Sequence, residues 1–283
     1  MSRIDLHVHS TASDGKLSPR ALVEKAAALR LAFVALADHD TVDGIVPALE
    51  AARDFPGLKV IPAVEISTDM PDGEAHILGY FIDFTSAELA SSLDRFRNSR
   101  QRRAQAMLER LGAMGIDIKW QRVQEIAGEG SVGRPHIAQA MLEKKYIATF
   151  KEAFDKYIGH GCPAYVERDK MTPVEAVGLV VRSDGLPVLA HPYTVADPEA
   201  LIATLKPAGL VGIEVYYKDY DTFQKESLRD MADRHNLIAT GGTDYHGIDE
   251  DAEVPPGGVD VPAAAVERLA ALAGERVRKL AGI

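Results

Sequence analysis

Two histidines near the start of the chain, His7 and His9, stand two residues apart in a segment with the composition of a β-strand, residues 3–10. Side chains of a strand alternate between its two faces, so both imidazoles point to the same side. The pair alone is weak evidence for a site, because packed or surface histidines also fall at this spacing by chance. Further residues of metal-binding type lie near other short apolar runs: Asp14, His39, Glu65, His76, His191, Asp244 and His246.

These nine residues offer six imidazoles, three carboxylates and no thiolate. Such a ligand set suits Zn²⁺, Mn²⁺ or Fe²⁺ rather than Ca²⁺ or Cu⁺. Nine ligands are too many for one ion, but they fit two or three, because carboxylates can bridge ions and water can fill open positions. For any single residue the alternative is a histidine packed in the core or a helix cap.

The composition is that of a large globular domain. With 283 residues, 46% hydrophobic and 26% charged, the chain can bury a full core, which excludes disordered and collagen-like proteins. No apolar run approaches the ~20 residues of a membrane span and no signal-peptide pattern is present, so we expect a cytoplasmic protein without membrane contact. The single cysteine, Cys162, excludes an internal disulfide and a cysteine-based zinc site.

The net charge of −10 by itself disfavours a polyanionic partner, because long-range electrostatic forces would repel it. Bound cations change this balance: three divalent ions would reduce the net charge to about −4 and concentrate positive charge in one cleft. A small phosphorylated substrate is therefore compatible with the composition, and no feature indicates an obligate protein partner.

Short apolar runs alternate with helical patterns along most of the chain. Seven strands are predicted, at residues 3–10, 32–37, 59–64, 75–82, 186–190, 212–216 and 237–241. Helices are predicted at residues 21–31, 45–53, 173–183, 198–208, 224–235 and 261–280. Repeated β-α units favour a parallel sheet, and this number of them favours a closed or nearly closed α/β barrel, whose active site lies where the strands end. The polar residues lie at strand ends in six of the seven cases, whereas His76 lies near the start of the fourth strand.

The alternation of strands and helices stops between residues 91 and 164, where only helical patterns occur. We therefore predict a helical insertion domain at residues 91–164 that caps the substrate, and a metal-binding barrel made of residues 1–90 and 165–283.

The candidate ligands resemble those of the PHP family of phosphoesterases, named for polymerase and histidinol phosphatase, within the amidohydrolase superfamily. The residues that carry the resemblance are His7-x-His9, Asp14, Asp38-His39, Glu65, His76, His191-Pro192 and Asp244-x-His246. The resemblance implies a distorted seven-stranded (β/α) barrel of the PHP type with a trinuclear metal centre. It further implies three ligand groups: His7, His9, Glu65 and Asp244 for one ion, Glu65, His76 and His191 for a second, and Asp14, His39 and His246 for a third.

The insertion narrows this resemblance. Residues 133–138, Gly-Arg-Pro-His-Ile-Ala, together with the segments around His191 and Asp244, are similar to the PHP group that contains 3′,5′-nucleoside bisphosphate phosphatases and RNA 5′-end exonucleases. The similarity implies a phosphatase that removes the 3′-phosphate of nucleoside 3′,5′-bisphosphates, for example converting adenosine 3′,5′-bisphosphate to AMP and phosphate. We expect two or three divalent ions, Mn²⁺ first with Fe²⁺ or Zn²⁺ as alternatives, and attack on phosphorus by a metal-bridging hydroxide. The residues expected to act in catalysis are His7, His9, Glu65, His191 and Asp244.

Other functions remain open at this point. One is a 5′-3′ exoribonuclease acting on the 5′ ends of short RNA, and another is a phosphatase of the histidinol-phosphate type. A third is a silent PHP module with a structural or binding role, which is disfavoured because such a module should lack ligands and none is missing here.

A bisphosphate needs a second anion-binding position, for which arginine is the preferred side chain. Arg134 and His136 stand where a loop enters a helix, and a helix N-terminus also favours anions. The remaining predicted substrate contacts are Arg102, Lys170 and Tyr193.

Overall fold

The computed structural model describes residues 3–70, 73–128, 132–166, 171–249 and 252–274. Its strands are β1 (Arg3–Val8), β2 (Leu31–Leu36), β3 (Lys59–Met70), β4 (Gly73–Tyr80), β5 (Leu186–Leu189), β6 (Gly212–Tyr217) and β7 (Ile238–Gly242). Its α-helices are α1 (Pro19–Ala28), α2 (Ile45–Ala52), α3 (Ala87–Ala113), α4 (Trp120–Ala127), α5 (Arg134–Glu143), α6 (Phe150–Ala153), α7 (Pro173–Arg182), α8 (Pro198–Leu205), α9 (Thr222–Arg234) and α10 (Ala263–Leu272). None of the described helices is long and apolar enough to cross a membrane.

The seven strands form one sheet in chain order, from β1 to β7. The two edges meet at the end of β1 and just after β7, where Val8 bridges Tyr245 and the His9 amide donates to the Tyr245 carbonyl at 2.9 Å. The sheet is therefore nearly closed into a barrel, which confirms the predicted α/β barrel.

One strand runs against the predicted direction. The prediction of a parallel sheet is wrong for β4, which pairs antiparallel with both β3 and β5. The register sets His76 opposite Ser67 and Leu78 opposite Glu65. Because β4 is reversed, its first half lies at the edge of the sheet where the parallel strands end. His76 therefore joins the other candidate residues although it stands near the start of its strand.

The barrel interior and its helical cover are built from the apolar runs recognised in the sequence. In β2 both faces are buried, with Val34 2% and Ala35 0% exposed, as expected for a strand covered on both sides. Helix α1 begins at Pro19, and the Ser18 hydroxyl accepts a hydrogen bond from the Ala21 amide at 3.2 Å. Helix α7 begins with a capping box between Thr172 and Glu175.

The chain divides into two compact units, residues 1–93 with 171–283 and residues 94–170. The first holds the barrel. The second is helical and has a core of its own, in which Met107, Leu111, Ile137, Met141 and Ile158 are fully buried. Among its described residues there is no strand.

Candidate metal centre

Strand β1 places two imidazoles in the barrel, since His7 and His9 are fully buried and their ring centres are 5.1 Å apart. Strand β7 lies close beside them, because a Cβ added to Gly242 would stand 2.5 Å from the backbone nitrogen of His7. Only glycine permits this approach.

Glu65, at 1% exposure, is the hub of the centre. Its Oε2 lies 3.2 Å from His7 Nε2, 3.3 Å from His9 Nε2 and 3.2 Å from His39 Nδ1. Its Oε1 lies 2.8 Å from His76 Nδ1 and 3.0 Å from His191 Nε2. One carboxylate thus contacts five imidazoles that are carried by four strands or the segments that follow them.

Asp244 and Asp14 supply the other two predicted carboxylates. Asp244 Oδ1 lies 3.0 Å from His9 Nε2 and 3.6 Å from His246 Nδ1. Asp14 Oδ1 lies 3.4 Å from His246 Nε2, and its Oδ2 lies 3.7 Å from His39 Nε2. The structure therefore brings all nine predicted ligands together.

Three overlapping groups of these atoms are close enough to hold an ion each. They are His7, His9, Glu65 and Asp244; His39, Glu65 and His76; and His9, Asp14, His39 and His246. The first coincides with the group implied by the resemblance. The second contains His39 in place of His191, although His191 Nε2 also contacts Glu65.

The spacing and the environment of these atoms fit metal ions. Atoms that share one ion at ~2.1 Å lie ~3.0 Å apart in octahedral and ~3.4 Å apart in tetrahedral coordination. The contacts above, from 2.8 to 3.7 Å, bracket both values. Several of the atoms are buried without a hydrogen-bond partner: His7 Nε2, His9 Nδ1 and Nε2, His39 Nδ1 and Glu65 Oε2. Buried polar atoms without partners are costly, and a cation would satisfy those that hold a lone pair or a charge.

Burial and charge act in opposite directions on the imidazoles. Burial lowers the pKa of His7, but Glu65, Glu214 and Asp244 outweigh it and raise this pKa well above 6.5. Burial also lowers the pKa of His246, but contacts with Asp14 and Asp244 outweigh it and raise this pKa to about 9. For His39 burial dominates and lowers the pKa to about 4.

For the carboxyl groups, burial raises the pKa and the neighbouring imidazoles lower it. The imidazoles of His39, His7 and His76 outweigh burial at Glu65 and lower its pKa well below 4.5. The pKa of Asp244 is likewise lowered, by His7 and His9. Both carboxyl groups are therefore ionised and available to cations.

Glu214, which was not predicted from the sequence, contacts two of the candidate ligands. It is fully buried on β6, where its Oε1 lies 3.0 Å from His7 Nδ1 and its Oε2 accepts a hydrogen bond of 2.8 Å from the His191 amide. A carboxylate bound to one ring nitrogen fixes the tautomer and directs the other nitrogen at the centre. A glutamate in the middle of an apolar strand is the sequence feature that could have revealed it.

Two aspartates fix the backbone around the centre. Asp5 accepts hydrogen bonds from the Thr243 amide and hydroxyl at 3.0 and 2.6 Å and from the Gly257 amide at 2.7 Å. Asp38 accepts from the Ser10 amide at 2.7 Å and the Ser13 hydroxyl at 2.8 Å. Asp5 therefore joins β1 to the segment before Asp244, and Asp38 holds the loop that carries Asp14.

Tyr217 and Lys218 at the end of β6 hold Asp244. The Tyr217 hydroxyl donates to Asp244 Oδ2 at 2.8 Å, and Lys218 Nζ donates to the Asp244 carbonyl at 2.9 Å. The backbone of Asp244 has φ 48° and that of His191 has φ 26°. Left-handed conformations at non-glycine residues cost roughly 1–3 kcal/mol and are retained where the surroundings impose them.

The predicted substrate-binding residues, unlike the nine candidate ligands, do not form one cluster among the described residues. In the helical unit, Arg134 lies 5.8 Å from the ring centre of Phe154, and His136 caps α5 by accepting a 2.9 Å hydrogen bond from the Gly133 amide. Arg102 is exposed on α3. Tyr193 belongs to the barrel unit, follows His191 by two residues and is 36% exposed. Lys170 lies outside the described residues. A role in substrate binding stays a prediction for all five.

Comparison with known proteins gives consistent results. A family model described as PHP domain matches residues 5–161. The 5′-3′ exoribonuclease Rnm of Escherichia coli strain K12 is 35% identical over 247 residues, which cover 86% of this chain and 84% of that protein. The 3′,5′-nucleoside bisphosphate phosphatase of Chromobacterium violaceum is 34% identical over 256 residues, which cover 87% of this chain and 88% of that protein.

A solved structure from Bifidobacterium adolescentis, described as a candidate metal-dependent phosphoesterase, matches with a TM-score of 0.78 and 30% identity, covering 97% of both chains. Similarity therefore extends over the whole length of the fold.

Proposed function

We propose that this chain, which belongs to the PHP family and is a metal-dependent phosphoesterase, removes the 3′-phosphate of nucleoside 3′,5′-bisphosphates. We further propose that the nine residues bind two or three divalent ions, with Mn²⁺ as the expected metal. The observation that carries this proposal is the convergence of five imidazoles on the two oxygens of Glu65.

Divalent ions bound by these residues would lower the pKa of water and neutralise charge on the phosphoryl oxygens. The chain's own residues prepare that chemistry. Glu214 holds His7 with Nε2 towards the centre, and Tyr217 and Lys218 hold Asp244. Burial of His7, His9 and Glu65 excludes bulk water, which strengthens electrostatic interactions with a phosphoryl group.

The choice of substrate is supported by similarity to the Chromobacterium violaceum phosphatase over most of both chains. A second candidate, 5′-3′ exoribonuclease activity on short RNA, is supported to a similar degree by the Escherichia coli relative. The two reactions break different bonds, so their products distinguish them.

A substrate comparison on protein reloaded with Mn²⁺ tests the proposal. We expect the protein to release phosphate and AMP from adenosine 3′,5′-bisphosphate. The kcat/KM should be at least about tenfold above that for histidinol phosphate, which shares only the phosphate group with the proposed substrate. Mononucleotide release from a short 5′-phosphorylated RNA is measured in parallel. Faster turnover of RNA than of the bisphosphate would favour the exoribonuclease instead, and preference for histidinol phosphate would reject both.

Metal binding is expected to strengthen as the pH rises. In chelator-treated protein the raised pKa values of His7 and His246 keep these imidazoles protonated at neutral pH, whereas a metal ligand must be neutral. The raised pKa of His246 stabilises the metal-free fold below pH 6.5, and this contribution is lost as the pH rises through about 9. Metal affinity instead rises with pH, by up to about tenfold per pH unit for each proton displaced.

Calorimetric titration with Mn²⁺ in two buffers of different ionisation enthalpy measures the protons released. An affinity that stays constant from pH 6.5 to 9 would show that Mn²⁺ displaces no proton from these imidazoles.

A further inference from the structure

A cavity of about 410 Å³ lies in the barrel unit between the β3–β4 pair, the start of α7 and the start of α8. We call it the α8 cavity. Its apolar walls are formed by Met70, Pro173, Val195, Ala200 and Leu201. The volume is within the ~300–1,000 Å³ typical of small-molecule sites.

Two lining residues of the α8 cavity lie beside two of the predicted ligands, His76 and His191, although none of the nine ligands lines it. Glu74, a lining residue, precedes His76 by two positions in β4, so both side chains are on the same face of the strand. Thr194, also a lining residue, has its hydroxyl 3.2 Å from His191 Nδ1. His191 Nε2 in turn lies 3.0 Å from Glu65. The cavity lining thus contacts His191, and Glu74 lies on the face of β4 whose His76 contacts Glu65.

The lining of the α8 cavity is unsuited to a second phosphate. Its charged members, Asp69, Glu74 and Asp197, are all acidic, and none of the described lining residues is cationic. Negative charge repels phosphate but accepts hydrogen bonds from amino groups. Apolar walls with a few hydrogen-bonding groups are typical of small-molecule sites, and the acidic groups here suit an uncharged ring that carries N–H donors.

We propose that the α8 cavity binds the nucleobase of the substrate. This inference rests on the proposed function, since it assigns the position of one part of a nucleotide whose phosphate is hydrolysed at the metal centre. It also implies that the base and the uncleaved phosphate are bound by different parts of the protein.

Filling the α8 cavity tests the proposal. Ala200 is exposed on α8 and lines the cavity, whereas Ala203 is exposed on the same helix and does not line it. Ala200→Phe and its matched control Ala203→Phe are compared on adenosine 3′,5′-bisphosphate and on 1-deoxyribose 3,5-bisphosphate, which lacks the base. We expect the wild-type protein to prefer the nucleotide by about tenfold or more in kcat/KM, because even one apolar group buried in a pocket contributes about this much.

Ala200→Phe should remove that preference by raising KM for the nucleotide, without changing kcat/KM for the analogue, and Ala203→Phe should behave as the wild type. Unchanged kcat/KM of Ala200→Phe for the nucleotide would overturn the proposal, and so would an equal loss on both substrates.

If the wild type releases no phosphate from the bisphosphate, the proposed function fails separately. The cavity is then tested by AMP binding in calorimetry: weaker binding by Ala200→Phe alone supports the site, and equal binding rejects it.

Discussion

Replacement of Glu65 by Gln is expected to lower kcat by about 1,000-fold or more, because the substitution removes the carboxylate charge at the middle of the centre. The amide is nearly the same size, so the barrel should keep its fold. Its NH₂ group would face imidazole nitrogens that Glu65 now contacts through oxygen at 2.8–3.3 Å. We therefore expect both metal affinity and turnover to be lost. Phosphate release and metal content after dialysis against Mn²⁺ measure the two effects.

Glu226 provides the matched control, since it is exposed on α9. Glu226→Gln should match the wild type in both measurements, and circular dichroism should show the same helix content for all three proteins. If Glu65→Gln retained a tenth or more of the wild-type kcat, Glu65 would not be the hub of the catalytic centre.

Replacement of Glu214 by Gln should weaken Mn²⁺ binding and lower kcat/KM by about 10–100-fold, the range typical of residues that orient metal ligands. Its two carboxylate oxygens contact His7 Nδ1 and the His191 amide. A glutamine has only one oxygen, so its NH₂ group would face one of these two positions. The orientation of His7 or His191 should therefore be disturbed.

Loading with excess Mn²⁺ separates positioning from a direct role in the reaction. If Glu214 acts through the ligands, saturating Mn²⁺ should recover most of the lost rate in Glu214→Gln but not in Glu65→Gln. An affinity within twofold of the wild type would show that Glu214 does not position the ligands.

That the nine candidate ligands lie close together could be predicted from the sequence, because their positions follow from simple rules. His7 and His9 share a face through the period of the strand, and residues that follow parallel strands meet at one edge of the sheet. His76 did not follow the rule. An apolar run shows where a strand lies but not in which direction it joins its neighbours, and the reversal of β4 became visible only in the register of its pairs.

The residues around the ligands were harder to predict, because their role depends on contacts between distant parts of the chain. Asp5 contacts Thr243, and Glu214 contacts His7, more than 200 positions away in each case. Each is a single carboxylate in an apolar strand, a pattern that marks a buried polar group without naming its partner. The α8 cavity is formed by three separate segments and has no sequence pattern of its own.

Anomalous scattering from crystals grown with Mn²⁺ would show which residues bind ions. We expect two or three peaks, each coordinated at ~2.0–2.4 Å by members of the nine-residue set, with Glu65 shared between at least two ions. Peaks at other residues, or no peak in the centre of crystals whose protein hydrolyses the bisphosphate, would contradict this expectation.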